Sequence, residues 1–147
     1  MPRSDRRYCE VLAQAVFQAG FSWQVVRAKW PDFCRAFQNF EIEKVATLTP
    51  RDVQRILNDP GVVRNRQKVA ATIENARVLR GLARRHGSVR RYVATLRPLS
   101  YADKVQVLSR TFRFLGPTGV YFFLWCVGED VPEWEDRVPS PNQESDR

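Results

Sequence analysis

Two helical patterns joined by a short turn, between residues 49 and 85, constrain the fold of this chain more than any other stretch. Thr49 is a favourable helix N-cap and Pro50 takes the first helical position, so we expect a helix to begin there. The turn Asn58-Asp59-Pro60-Gly61 ends that helix, because a residue before proline is driven out of helical geometry and glycine allows a sharp turn. Apolar side chains then recur at helical spacing, which predicts a second helix over residues 65–86.

The start of the second helix has the features of an anion-binding site. Backbone N–H groups of the turn lie near its N-terminus, where orphan donors and the helix dipole both attract negative charge. Residues 64–91 carry nine arginines and lysines but a single acid, Glu74. This pattern indicates a helix-hairpin-helix that holds a DNA phosphate without reading sequence, although an ordinary helical hairpin with a solvated basic face explains it equally well. The predicted phosphate contacts are Gly61, Val63, Arg64, Arg66 and Lys68.

The composition limits the class of protein further. A chain of 147 residues, 44% of them hydrophobic, suits one domain with a substantial core. No stretch alternates between apolar and polar residues for long, so we predict an all-α protein. The net charge of +8 favours a polyanionic partner, most simply nucleic acid. Residues 1–139 are predicted to form a single helical domain, and the proline-containing, polar end at residues 140–147 is predicted to be disordered.

The cysteines and the single histidine form no recognisable metal or disulfide pattern. Cys9, Cys34 and Cys126 are odd in number and widely spaced, and no CxxC pair occurs. We therefore predict reduced thiols, no metal and no cofactor. The most apolar segment, residues 119–127, is shorter than the roughly 20 residues that span a bilayer. We expect no membrane partner and a cytoplasmic location, at the nucleoid when the protein binds DNA.

Five short segments between residues 8 and 128 form a signature when they are taken together. They are QAGFSW at residues 18–23, FQNFEIEKVA at 37–46, LNDPGVVRNRQKV at 57–69, IENAR at 73–77 and FRFLGPT at 112–118. In order and spacing these segments resemble the DNA-3-methyladenine glycosylase I family, often called Tag. The resemblance implies a helix-hairpin-helix DNA glycosylase fold and the excision of alkylated bases from double-stranded DNA. We expect the protein to act as a monomer.

The same resemblance implies a base pocket and a loop that fills the gap left by a flipped base. The pocket positions are Trp23, Ala15, Tyr8 and Tyr121. The gap-filling loop contains Gln18, Gly20, Phe21 and Ser22, with Phe21 as the apolar wedge that enters the duplex. Trp23 matches the residue that stacks on the cationic base, an attraction worth roughly 0.5–2 kcal/mol. For Tyr121, a place in the hydrophobic core explains the aromatic side chain better.

Three departures from the family pattern affect the expected chemistry. The family's N-terminal segment with zinc ligands has no counterpart, and no histidine occurs near Glu133, so no zinc is expected. Ala15 stands where the family has a pocket glutamate, and Glu10 lies about 140° away around the same helix. Between residues 65 and 91 the only acid is Glu74, which comes too early to match a catalytic aspartate. The catalytic residue is therefore not identified.

Three hypotheses about function follow. The first is a monofunctional DNA glycosylase of base excision repair, which flips an alkylated base such as 3-methyladenine and hydrolyses its N-glycosidic bond. The second is a helix-hairpin-helix DNA-binding protein that is catalytically inactive, and the third is a glycosylase for another lesion. An open pocket beside Trp23 and Ala15 favours an enzyme, whereas a filled core there favours the binding protein.

Overall fold

The computed structural model describes residues 4–20 and 22–133 of the chain. These residues form nine α-helices and one 3₁₀ turn, and they contain no β-strand. The helices are α1 (Asp5–Gln18), α2 (Trp23–Ala28), α3 (Trp30–Ala36), α4 (Ile42–Ala46), α5 (Pro50–Leu57), α6 (Arg66–His86), α7 (Val89–Ala94), α8 (Tyr101–Thr111) and α9 (Pro117–Cys126). The predicted all-α fold is confirmed. No helix in the described ranges combines the length and the apolar character needed to cross a bilayer, and the predicted tail at residues 140–147 lies outside them.

The predicted helical hairpin is present, with α5 and α6 as its arms. A capping box begins α5: the N–H of Asp52 donates to Thr49 Oγ1 (3.3 Å), and the N–H of Thr49 donates to Asp52 Oδ2 (2.8 Å). Asn65 caps α6, because its side-chain oxygen accepts a hydrogen bond from the N–H of Lys68 (3.0 Å). Gly87 ends α6 with a φ of +96°, a conformation that glycine adopts without the penalty of a Cβ.

The first helix lies at the centre of the fold rather than on its surface. All residues from Tyr8 to Phe17 are buried, on every side of α1. α1 packs against α6 and α9, and also against α7 and the 3₁₀ turn. Besides its apolar residues, the helix buries the polar residues Glu10 and Gln14. A buried polar group needs partners, and those of Glu10 show how α1 is joined to the next part of the chain.

Glu10 connects α1 to α3 through a saturated hydrogen-bond network. Its Oε2 accepts a hydrogen bond from Trp30 Nε1 (2.9 Å), and its Oε1 accepts hydrogen bonds from Arg7 (2.9 Å) and Arg6 (3.2 Å). Burial on its own raises the pKa of Glu10, but the hydrogen bonds from Trp30 and Arg7 and the charge of Arg6 outweigh it and lower the pKa below its usual value. The carboxylate is therefore a structural group.

We expect the replacement Glu10→Gln to lower the free energy of unfolding by about 1–3 kcal/mol at neutral pH, because charge-assisted hydrogen bonds are lost. A carboxyl with a lowered folded-state pKa contributes stability above its unfolded pKa and loses it as the pH falls through the folded pKa. The difference between the two proteins should therefore shrink at acid pH. Urea denaturation over a pH series measures it, and a difference that stays constant down to low pH contradicts the assignment.

The C-terminal half of α6 uses its basic residues to hold other helices. Arg77 donates from Nε to the main-chain oxygen of Ala46 (2.9 Å) and from Nη2 to that of Leu48 (3.2 Å). Arg84 donates to the Glu43 carboxylate of α4 (3.2 Å). The basic face predicted for this helix is thus divided, because Arg77 and Arg84 hold neighbouring segments while Arg85 is exposed.

Candidate functional site

Lys68, in the first turn of α6, points inward and holds the end of α1. Its side chain is only 5% exposed, and its Nζ donates to the main-chain oxygens of Phe17 (3.2 Å) and Ala19. The last turn of α1 has no basic residue of its own. A cation placed at the carbonyl end of a helix satisfies free oxygens and opposes the helix dipole. Lys68 therefore fixes the point at which the chain leaves α1.

This placement disagrees with the phosphate contact predicted for Lys68. Burial lowers the pKa of its ammonium group. The ammonium group donates hydrogen bonds to backbone oxygens and does not point to solvent. The sequence pattern placed a lysine near the predicted anion site, but it did not show which way the side chain points. The loop after α1 begins at these oxygens, so Lys68 joins that loop to the first turn of α6.

We expect Lys68→Met to leave the carbonyl groups of Phe17 and Ala19 without their donor. The cost is about 1–3 kcal/mol in the free energy of unfolding, since the buried carbonyl of Phe17 and the more accessible carbonyl of Ala19 both lose a charged partner. Hydrogen exchange of backbone amides at the end of α1 should also become faster. The matched control is Lys44→Met, because Lys44 is exposed on α4. Equal losses of stability in the two variants, with no change in exchange at the end of α1, would contradict this role.

The turn between α5 and α6 uses some of its N–H groups internally. The N–H of Gly61 donates to Asp59 Oδ1 (2.8 Å), and the N–H of Val62 donates to the main-chain oxygen of Asp59 (3.2 Å). Gly61 is therefore not a free donor, contrary to the prediction. The N–H groups of Val63 and Arg64 have no acceptor among residues 4–20 and 22–133. The free donors of the hairpin thus lie one step further along the chain, directly before α6.

An acidic side chain lies on one side of this turn. The carboxylate carbon of Asp32 is 2.5 Å from the place that a Cβ on Gly61 would occupy, so close approach explains the glycine better than the sharp turn we predicted. Because Asp32 forms an ion pair with Arg35, that side of the turn offers a phosphate no unbalanced positive charge. On the other side, Arg64 is exposed, and Arg66 reaches back to donate to Gln54 Oε1 (2.8 Å). The electrostatics therefore favour an anion beside Arg64 and Arg66.

Two predicted pocket residues meet on one face of α9. The half-buried Trp23 packs against Phe122, with ring centroids 5.7 Å apart and planes inclined by 57°. The Cβ of Ala15 lies 3.7 Å from the place that a Cβ on Gly119 would occupy. Gly119 and Phe122 are three residues apart, so they share a face of the helix. The structure thus brings Trp23 and Ala15 to the same side of α9.

The position of Ala15 is filled. Ala15 is 1% exposed, and Leu115 Cδ1 lies 2.8 Å from the place that a Cβ on Gly119 would take, so Leu115 covers the contact between α1 and α9. A polar cavity of about 320 Å³ lies elsewhere, at the C-terminal end of α9, where neither Trp23 nor Ala15 lines it. The small residues at positions 15 and 119 therefore allow two helices to approach closely in this state of the protein.

The remaining predicted pocket residues occupy other surroundings. Tyr8 is buried with its ring centroid 6.3 Å from that of Phe123, and burial raises its pKa. Tyr121 is partly buried, and its hydroxyl donates to the main-chain oxygen of Pro132 (3.1 Å). Tyr8 is thus a core residue, whereas Tyr121 joins α9 to the segment that follows it.

The loop between α1 and α2 is described except at its predicted wedge. Gln18 is half-buried, and Gly20 is exposed with a φ of +79°, which suits glycine. Ser22 caps α2, because its Oγ accepts a hydrogen bond from the N–H of Gln24 (3.2 Å). Phe21 lies outside the described residues, so its role as the wedge stays a prediction.

The described residues offer no obvious site for a metal ion. Residues 4–20 and 22–133 contain no group of three or more histidine, cysteine, aspartate or glutamate side chains suited to hold one. Cys9 is buried, and burial raises the pKa of its thiol to about 12. Such a thiol stays protonated at neutral pH and is a poor ligand and nucleophile.

Asn75 is a structural residue that the sequence analysis missed. It is 2% exposed on α6, and its amide bonds both backbone groups of Arg113. The signal was a set of polar residues, Lys68, Thr72 and Asn75, at helical spacing on a face that is otherwise apolar. Such a set indicates contacts with backbone groups of other segments.

The profile of the methyladenine glycosylase family matches residues 1–106 of the chain. The chain belongs to the methyladenine glycosylase family. The resemblance seen in its sequence is therefore confirmed.

Two relatives of this methyladenine glycosylase family member agree with the match. The DNA-3-methyladenine glycosylase 1 of Escherichia coli (strain K12) is 36% identical over 78 residues, which are 52% of this chain and 42% of that protein. The DNA-3-methyladenine glycosylase of Haemophilus influenzae is 26% identical over 130 residues, 76% of this chain and 70% of that protein. The match thus spans less than half of the length of the Escherichia coli protein.

Solved structures share the fold of this family member. The 3-methyladenine DNA glycosylase I (TAG) of Staphylococcus aureus superimposes with a TM-score of 0.74 at 27% identity, over 84% of this chain and 77% of that chain. A point variant of 3-methyladenine DNA glycosylase I in complex with 3-methyladenine also gives a TM-score of 0.74 at 27% identity, over 82% of this chain and 75% of that one. The helical architecture is therefore that of the Tag glycosylases.

Proposed function

We propose that this protein is a monofunctional DNA glycosylase that removes alkylated bases, such as 3-methyladenine, from double-stranded DNA. The observation that carries the proposal is the contact of Lys68 with the end of α1. It joins the predicted gap-filling loop to the first turn of α6, directly after the two residues whose N–H groups are free for a phosphate. A glycosylase needs both functions at a fixed separation, because it must hold the backbone while it replaces a flipped base. The names of the two curated relatives support the same activity.

The DNA backbone would be held at the start of α6. The free N–H groups of Val63 and Arg64 lie next to each other there, and the helix dipole favours negative charge at this end. The guanidinium groups of Arg64 and Arg66 add donors and charge that a phosphate oxygen accepts. These contacts would fix the position of the duplex without reading its sequence.

The flipped base would be handled by the loop after α1 and by Trp23. In this proposal Phe21 enters the stack, while Gln18, Gly20 and Ser22 shape the loop around it. Trp23 is held from behind by Phe122 and is half-exposed, so one part of the indole stays accessible. A base alkylated on a ring nitrogen is cationic and is attracted to an aromatic face.

The reaction needs little acid catalysis from the protein. The alkylated base carries positive charge, so it leaves as a neutral molecule when the bond between C1′ and the ring nitrogen breaks. Water then adds to the sugar carbon and gives up a proton, which leaves an abasic site and the free base. Glu74, the only acid between residues 65 and 91, forms an ion pair with Arg113. We therefore assign no catalytic acid and attribute the rate to base flipping and stabilisation of the sugar cation.

One observation favours a catalytically inactive DNA-binding protein as the second candidate. Ala15 occupies the position of the family's pocket glutamate. It is buried where α1 packs against α9, beside Leu115. A base could enter beside it only if Leu115 or α9 moved. In the absence of such movement, the phosphate contacts would remain while excision is lost.

Base release distinguishes these two candidates. Duplex DNA that carries 3-methyladenine and 7-methylguanine is incubated with the protein, and the freed bases are identified by mass spectrometry. We expect release by the wild-type protein and a fall of about tenfold in Trp23→Ala, because a stacking and cation–π contact is lost. Trp23→Phe, the matched control, keeps an aromatic face and should retain most of the activity. No release from either lesion, with duplex binding intact, would contradict the enzyme and leave the binding protein.

The salt dependence of duplex binding tests the phosphate contact. The slope of log K against log salt concentration reflects the number of phosphates contacted. We expect Arg64→Ala to reduce the size of this slope by about one. Arg84→Ala is the control, because Arg84 lies about 27 Å along α6 from its start and pairs with Glu43. Equal changes in slope for the two variants would show that the effect is one of net charge rather than of a contact.

A further inference from the structure

The loop between α8 and α9, residues 112–116, is held by a buried amide. The Nδ2 of Asn75 donates to the main-chain oxygen of Arg113 (3.1 Å), and the N–H of Arg113 donates to Asn75 Oδ1 (2.8 Å). The amide nitrogen and the amide oxygen of Asn75 therefore both bond the backbone of Arg113. A buried amide is costly unless it is fully bonded, and here its bonds determine the path of a loop.

Asn75 and Lys68 hold two loops from the same side of α6. They are seven residues apart, which is about two turns and about 10 Å along the helix axis. Lys68 fixes the start of the loop between α1 and α2, and Asn75 fixes the loop between α8 and α9. The two loops thus lie side by side along one helix.

The side chain that this second loop presents to solvent is aromatic. Phe114 is 46% exposed, whereas its neighbours Phe112 and Leu115 are 4% and 3% exposed. The backbone of Phe114 has a φ of +56°, in the left-handed region that is unfavourable for a bulky side chain. Exposure of the ring gains nothing for the folded state in water, so the strain is not explained by packing. Strained residues held by their surroundings are concentrated at functional sites.

Phe114 directly precedes a residue that packs at the site described above. The next residue, Leu115, covers the place where Gly119 meets Ala15, and Trp23 contacts the same face of α9. The exposed Arg110, on the last turn of α8, adds positive charge near this loop, whereas the charge of Arg113 is balanced by its ion pair with Glu74. A polyanion is the partner that such surroundings favour.

We propose that the loop of residues 112–116 is a second DNA-contacting loop, and that Phe114 stacks on an unpaired base of the distorted duplex. Because Phe114 is exposed while the next residue, Leu115, is buried against the candidate site, we assign its partner as a base next to or opposite the flipped nucleotide. Asn75 acts as a positioning residue, because it fixes the loop without touching DNA. This proposal rests on the proposed function only for the position of the lesion, since stacking requires a distorted duplex and no bond cleavage.

The test uses a duplex with a stable tetrahydrofuran abasic analogue opposite 2-aminopurine, and the same duplex without the analogue. Stacking of one base on an aromatic side chain is worth roughly 1–3 kcal/mol, or about 5- to 150-fold in affinity. We expect Phe114→Ala to lose affinity for the abasic duplex by at least about fivefold and to keep its affinity for the intact one. Phe114→Trp should bind the abasic duplex like the wild type. Fluorescence of 2-aminopurine should be quenched by the wild type and less so by Phe114→Ala.

Two further variants separate a DNA contact from a loss of folding. Leu99→Ala removes another exposed apolar side chain and should change neither affinity. Asn75→Asp keeps the acceptor for the N–H of Arg113 but loses the donor, so it should weaken the preference for the abasic duplex while the ring is still present. Unchanged preference in Phe114→Ala, or equal losses on both duplexes, would overturn the proposal. Absence of base release with a Phe114-dependent preference would instead overturn the glycosylase and leave this contact standing.

Discussion

The buried ammonium group of Lys68 is the contact on which the geometry of the candidate site depends. It lies in the first turn of α6 and donates to two carbonyl groups at the end of α1. An ammonium group taken out of water carries a large desolvation cost, which is tolerable only because carbonyl oxygens replace the water. The contact connects a hairpin that can hold phosphate to a loop that can enter the base stack.

The polar residues of α6 are divided according to their position along the helix. At its start, the N–H groups of Val63 and Arg64 remain free and two arginines lie beside them. The buried Lys68 in its first turn and the buried Asn75 two turns later bond backbone groups at two loops. Further along, Arg77 and Arg84 hold α4 and the segment after it. One helix thus supports the predicted phosphate contact, the predicted gap-filling loop and the loop that presents Phe114.

The local features of this fold follow directly from residue types, whereas the direction of individual side chains does not. The caps at Thr49 and Ser22, and the start of α6 after Asn65, were predictable because each requires only a few neighbouring residues. The inward direction of the Lys68 side chain was not predictable, because periodicity assigns a residue to a helix face but does not identify the residues that it contacts. Gly61 likewise marks the approach of Asp32, 29 positions earlier in the chain, which no local pattern reveals.

The same distinction holds for the pocket. Trp23 and Ala15 were assigned to one site by resemblance, and the structure does bring both to one face of α9. That Ala15 is covered by Leu115 depends on how closely two distant helices pack, and this closeness is set by the pair of small residues at positions 15 and 119. Packing distance between helices is a property of the whole core and cannot be obtained from either helix alone.

The most direct measurement of the central claim is the rate of base release at saturating protein in wild type, Lys68→Arg and Lys68→Met. If Lys68 joins the phosphate contact at the start of α6 to the loop between α1 and α2, Lys68→Met will bind alkylated duplex with nearly normal affinity. It will release the base much more slowly. Lys68→Arg, which can still donate to both carbonyl groups, will recover part of the rate. Release that is unchanged in Lys68→Met, or affinity and release that fall together, would contradict the account.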